Sequence, residues 1–189
     1  MSIDTKTALL DSAERAARTR GFDGFSYADL AADVGIRKAS IHHHFPTKAA
    51  LSVALMRRYA GGVEQVCADI DAVHATGQAR MAGLVDLYRG ALDGGKSLCL
   101  CVSFSTSRES LPEDVIAEIS SFRKMVIGWL SATFGLGRMD GTITAVLEPG
   151  KEAAATLALL EGAQLTARAE ENPALFENAV QLLQQRFVH

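Results

Sequence analysis

The stretch from Ser26 to Lys48, SYADLAADVGIRKASIHHHFPTK, constrains this chain more than any other. Ser26 with Asp29 three residues on has the form of a capping box, which opens a helix at Tyr27. Leu30, Ala31 and Val34 give that helix one apolar face, while Asp29, Ala32 and Asp33 fall elsewhere. Gly35 permits a sharp turn, and Ile36 returns the chain to the core. A second helix from Arg37 points Ile41 and Phe45 inward and leaves Arg37, Lys38, Ser40, His43 and His44 mostly outward. Pro46 disfavours helical backbone at Phe45 and stops it. Two short helices about a tight turn are the layout of a helix-turn-helix, whose second helix lies in the DNA major groove.

The run Gly35-Ile36-Arg37-Lys38-Ala39-Ser40-Ile41-His42-His43-His44-Phe45-Pro46-Thr47-Lys48 resembles the signature of the TetR family of bacterial transcriptional regulators, usually G-V-S-x-G-x-L-Y-x-H-F-x-x-K. The resemblance extends upstream through Ala13, Gly21, Phe22 and the Tyr27–Val34 helix. Three positions depart from it: Arg37 stands where a capping Ser is usual, Ala39 where Gly is common, and His42 where Tyr is usual. The resemblance implies a dimeric repressor that binds double-stranded DNA at a near-palindromic operator and is released by a small-molecule effector. It implies a DNA-binding set of Tyr27, Arg37, Lys38, Ala39, Ser40, His42, His43 and Lys48. In that set Arg37, Lys38 and His43 are the candidate base readers, and Ser40, His42 and Lys48 position the protein on phosphates.

Charge is distributed in keeping with that reading. The chain carries a net charge of −3, but residues 1–60 hold nine Lys/Arg against six Asp/Glu, and residues 61–189 hold ten against sixteen. A basic head on an acidic body suits a DNA-binding part joined to a part that stays off DNA. No apolar run is long enough to span a membrane, and no signal-peptide pattern opens the chain. Three cysteines without a framework spacing fit a reduced, cytoplasmic protein.

Helical periodicity continues throughout. A first helix spans Thr5 to Arg20, and Gly21 caps it. Thr47 caps a long fourth helix running to about Val73, on a stripe of Leu51, Leu55, Tyr59, Val63, Val66, Ile70 and Val73. Arg80–Asp93 and Pro112–Phe134 follow as amphipathic helices, separated by the apolar, hydroxyl-rich Ser97–Ser107. Gly135–Gly150 reads as an irregular connection. A small-residue helix then runs from Lys151 to Arg168, and a last one starts at Asn172-Pro173 and includes Phe187. The expectation is an all-α chain of about nine helices. A three-helix helix-turn-helix domain over residues 1–48 precedes a helical ligand-binding and dimerisation domain over residues 49–189. The last two helices carry more apolar surface than one packing face needs, which points to a homodimer through them.

Other constellations yield to simpler chemistry. His42, His43 and His44 are successive residues turned about 100° apart on a helix, so they cannot converge on one metal ion. Cys99 and Cys101 lack the further ligands zinc needs; singly they are candidates for a redox or electrophile sensor, with Cys99 near a helix start. By the resemblance, the body encloses a ligand pocket for which Tyr59, Val63, Cys67, Tyr88, Phe104, Phe122 and Trp129 are candidate linings. Ser103, Ser105 and Arg123 are candidate polar contacts. Ser103, His74 and Asp86 make a hydrolase triad only on paper, since no G-x-S-x-G occurs. No cofactor, metal or catalytic residue is called for. The remaining rival is a small helical enzyme or storage protein that has lost DNA binding.

Overall fold

The computed structural model describes residues 4–188. Its element order is α1 (Thr5–Arg20), α2 (Tyr27–Val34), α3 (Lys38–His44), α4 (Lys48–Val73), α5 (Gly77–Leu92), α6 (Leu100–Ser105), α7 (Glu113–Met139), α8 (Pro149–Ala169) and α9 (Ala174–Gln184). Single turns of 3-10 helix lie at Asp93–Gly95 and Arg108–Ser110. The fold is all-α, and no β-strand occurs among the described residues. The chain forms two compact units: residues up to Gly61 together with Leu100–Ser121, and Gly62–Cys99 together with residues from Phe122 onward. They are called the head and the body below.

The head is built on α1, which buries Leu9, Leu10, Ala13, Ala16 and Ala17. Small residues on that face let α6 pack closely against it, and α6 is buried from Leu100 through Phe104. The Ser103 hydroxyl donates to the Ala17 carbonyl at 2.6 Å. The Phe104 ring meets Phe22 edge-on, with centroids 5.7 Å apart. The hydroxyl-rich segment from Leu100 onward therefore belongs to the head, and Phe104, expected at a ligand, fills the head's core. Arg58 of α4 reaches back to Asp11 and Glu14 of α1 at 2.6 and 2.8 Å.

In the body, α7 does not stop at Phe134 but continues to Met139, so the expected irregular connection is shorter. Glycine is needed in the helix there because α5 starts against it. A Cβ on Gly77 would lie 2.3 Å from the Gly137 nitrogen, an overlap no side chain survives. Asp140 then accepts from the Gly77 amide at 2.8 Å and fixes the start of α5. Gln164 of α8, wholly buried, donates to the Tyr88 carbonyl at 2.7 Å and accepts from the Cys99 amide at 3.0 Å. Its amide thereby satisfies two backbone groups that would otherwise be stranded in the core. Phe187 lies beyond α9, paired with Ile143 in an isolated antiparallel bridge. On α8, Ala155, Ala158, Gly162 and Leu165 remain exposed, and α9 exposes Leu182. No described helix is long and apolar enough to cross a membrane.

Candidate nucleic-acid interface

Local chemistry fixes the two short helices of the head. At the start of α2 the capping box closes: the Ser26 amide donates to Asp29 at 2.7 Å, and the Asp29 amide donates to the Ser26 hydroxyl at 3.4 Å. The hydrogen bond from the Ser26 side chain, with that from its amide, holds the Asp29 carboxyl below its ordinary range. Asp33 accepts from Ser12 and, at 2.8 Å, from Arg15, and these two bonds likewise lower its carboxyl. They tie α2 to α1. Gly35 adopts the left-handed conformation (φ 73°, ψ 33°), which turns the chain without steric cost. Arg37 caps α3 without any side-chain hydrogen bond to the helix, as expected where Ser has been replaced.

The turn presents α3 with one face buried and the rest open. Ile41 and Phe45 are in the core. Arg37, Lys38, Ala39, Ser40, His42 and His43 are all exposed, and His44 is half-buried. Beside α3 a shallow groove of about 480 Å³ is lined by Thr5, Ile36, Ala39, Ser40, His43 and His44. The expected base-reading and phosphate-contacting side chains thus share one exposed surface, with two exceptions that point inward.

Lys48 is the first exception. Its ammonium donates to the Phe25 carbonyl at 2.6 Å and sits over the rings of Phe22 and Phe25, 4.6 and 4.3 Å from their centroids. Desolvation in that nook lowers its proton affinity, opposed by Asp23 and Asp29. A cation in the first turn of a helix is poorly placed for the dipole and needs a partner. The partner is a carbonyl and two aromatic faces of the same chain. Phe22 and Phe25 are three residues apart around a turn, a spacing that signals such a shelf only once the turn is known. Tyr27 is the second exception: buried, its hydroxyl donates to the Phe45 carbonyl at 2.8 Å, and burial pushes its pKa to about 12.

The other candidate residues are dispersed. Val63, Cys67, Tyr88, Phe122 and Trp129 lie in the body, the first four buried. The Trp129 indole donates to Asp71 at 3.1 Å, and Arg123 is held by Glu161 at 2.9 Å. Tyr59 is half-buried in the head's part of α4. Cys67, Cys99 and Cys101 are unbridged and buried, and burial raises the Cys67 thiol to about 11. Among the described residues, no three His, Cys, Asp or Glu side chains assemble as a metal site.

Comparison with known proteins bears on this surface directly. The sequence pattern of "Bacterial regulatory proteins, tetR family" matches residues 9–55, the stretch that builds α1 to α3 and enters α4. Along the rest of the chain, a TetR-family transcriptional regulator from Agrobacterium tumefaciens superposes with a TM-score of 0.91 at 27% identity, covering 97% of both chains. Residues 9–55 thus carry the TetR-family pattern, and the chain is similar to TetR-family regulators over nearly its whole length. It is 29% identical over 183 residues to the HTH-type transcriptional repressor NemR of Escherichia coli K12, covering 94% of this chain and 90% of that one. The crystal structure of the reduced form of E. coli NemR superposes with a TM-score of 0.85 at 26% identity over 98% of both. The chain is a DNA-binding transcriptional regulator, and the matched stretch contains α3 with its exposed face.

Proposed function

We propose that the protein is a homodimeric repressor released from its operator by a small ligand. The observation that carries the reading is the exposure of Arg37, Lys38, Ser40, His42 and His43 on a helix anchored from beneath by Ile41 and Phe45. Arg37 and Lys38, at the N-terminal end of α3, reach base edges, and His43 reads alongside them. Ser40 and His42 take phosphates. Lys48 and Tyr27 serve the interface indirectly, by fixing the two ends of the α3 turn. Repression is the activity named for the E. coli relative, and it is carried to this chain on that likeness.

The exposed stripe of Ala155, Ala158, Gly162 and Leu165 on α8, with Leu182 on α9, supports a dimer formed by these two helices. Two-fold symmetry then sets two recognition helices on one face of the duplex, about one helical turn or a multiple apart. The effector site belongs to the body, among Val63, Cys67, Tyr88, Phe122 and Trp129. A thiol-sensing variant of the same scaffold has burial of all three cysteines against it. The test is selection of fragments from the source genome by the purified protein. A near-palindromic site should be enriched, and protection should span two half-sites. Enrichment of a single, asymmetric half-site would overturn the dimeric reading.

A further inference from the structure

Of the three consecutive histidines of α3, the first two lie outside its packing. Ile41 and Phe45 do the packing, and His42 and His43 are exposed. His42 is nonetheless oriented. Its Nδ1 lies 3.2 Å from the Pro46 carbonyl, and its ring meets the Tyr27 ring at 5.0 Å and 61°. A carbonyl only accepts, so this contact is a hydrogen bond when Nδ1 carries the proton. The neutral ring then keeps its lone pair on Nε2, the nitrogen that must take up a proton if His42 is to donate outward. His43 stands next to it, its ring 5.5 Å from that of His44 across the groove-lining turn.

We infer that His42 and His43 make DNA binding proton-coupled: the protein takes up protons at these two rings when a phosphate or base acceptor meets α3. The inference rests on the reading of α3 as the DNA-contacting helix. The surrounding charges leave the coupling to the DNA itself. From α2, Tyr27 is the titratable group against His42, and burial keeps it neutral well above neutrality. The α2 carboxylates are engaged elsewhere, Asp29 with Ser26 and Asp33 with Ser12 and Arg15. From α1, the groove beside His43 is lined by Thr5, which does not titrate. Lys48, just beyond the turn, is bound to the Phe25 carbonyl. Arg37 and Lys38 share the exposed face, and half-buried His44 is the titratable neighbour of His43.

Histidine changes charge near pH 6.5, so an acceptor that favours the imidazolium strengthens binding below that point and loses the gain as pH rises past it. A one-unit rise in the proton affinity of one ring corresponds to about tenfold in affinity. Each imidazolium facing a phosphate also steepens the plot of log affinity against log salt by about 0.9. The experiment measures binding of the full-length protein to a random-sequence duplex at several salt concentrations, from about pH 6 to about pH 8.5, the range histidine spans. His42→Gln, His43→Gln and the distant control His74→Gln are compared, each checked by circular dichroism. The wild type should gain at least about tenfold at the acidic end, with a steeper salt slope. His42→Gln and His43→Gln should each lose part of both effects, and His74→Gln neither. Binding that does not vary with pH would overturn the coupling and leave the helix-turn-helix reading intact. So would a pH dependence that is undiminished in both variants. Absence of binding at any pH, even at low salt, would overturn that reading and the coupling together.

Discussion

Replacing Lys48 with Met separates two roles that a lysine beside a recognition helix can play. The side chain keeps its length and can still lie on the rings of Phe22 and Phe25, but the ammonium is gone. What is lost is one charged hydrogen bond to the Phe25 carbonyl, 2.6 Å long, and two cation–ring contacts. A hydrogen bond to a charged group contributes about 1.5–3 kcal/mol. Each partly exposed cation–ring contact adds about 0.5–1 kcal/mol. Relief of the ammonium's desolvation offsets part of this, leaving a net loss of about 2 kcal/mol. Urea unfolding reads that loss as a lower midpoint at unchanged slope. The salt dependence of binding to a random duplex is measured on the same protein under conditions where it is folded. If Lys48 pins the head, that slope stays as in the wild type. An unchanged urea midpoint with a salt slope shallower by about 0.9 per head would show that Lys48 meets phosphate and refute the argument.

Four further outcomes follow from the geometry. Gly77→Ala should destabilise the body by at least about 3 kcal/mol, since its Cβ would overlap the Gly137 backbone. Gly61→Ala, where nothing lies within 4 Å of the added carbon, should stabilise by about 0.5–1 kcal/mol; both are read from urea midpoints, and a loss of stability in Gly61→Ala would contradict the open environment. Gly162→Glu places a charge on the exposed small-residue stripe and should give a folded monomer with much weaker operator binding, checked by sedimentation. Asp29 and Asp33 both titrate lower in the fold than in the open chain, so their contribution is present above about pH 4 and disappears as pH falls below it. Protection of the α2 amides, relative to exchange in the open chain at the same pH, should therefore fall on acidification, and less so in Asp29→Asn/Asp33→Asn.

The helix-turn-helix was legible because every signal in it is local. A cap at Ser26, a left-handed glycine at Gly35 and a proline after Phe45 each act within a few residues, and the structure places all three as the sequence implies. What failed to show in sequence depended on distant partners. Nothing near Gly137 says that α5 will begin against it, so the glycines of 135–150 read as a break instead of a close crossing. The segment holding Ser103 and Phe104 was apolar enough to be core, but periodicity does not say whose core. In sequence, Lys48 reads as a phosphate contact. Its partner within the chain, the carbonyl of residue 25, lies across a turn that pattern alone cannot fold.

The head is not a continuous length of chain. The polypeptide passes from head to body after Gly61, returns at Leu100 and leaves again after Ser121. A fragment ending in α4 would carry the whole recognition helix yet lack the residues that meet Ala17 and Phe22. Excising it should yield a loosened, aggregation-prone peptide instead of a portable DNA-binding cassette. Grafting the first helices of one relative onto another likewise obliges a foreign α6 to fit a new α1. The surface that α3 presents is therefore inherited with a segment packed beneath α1, and chimeras that change operator choice need to transplant Leu100–Ser121 along with α3.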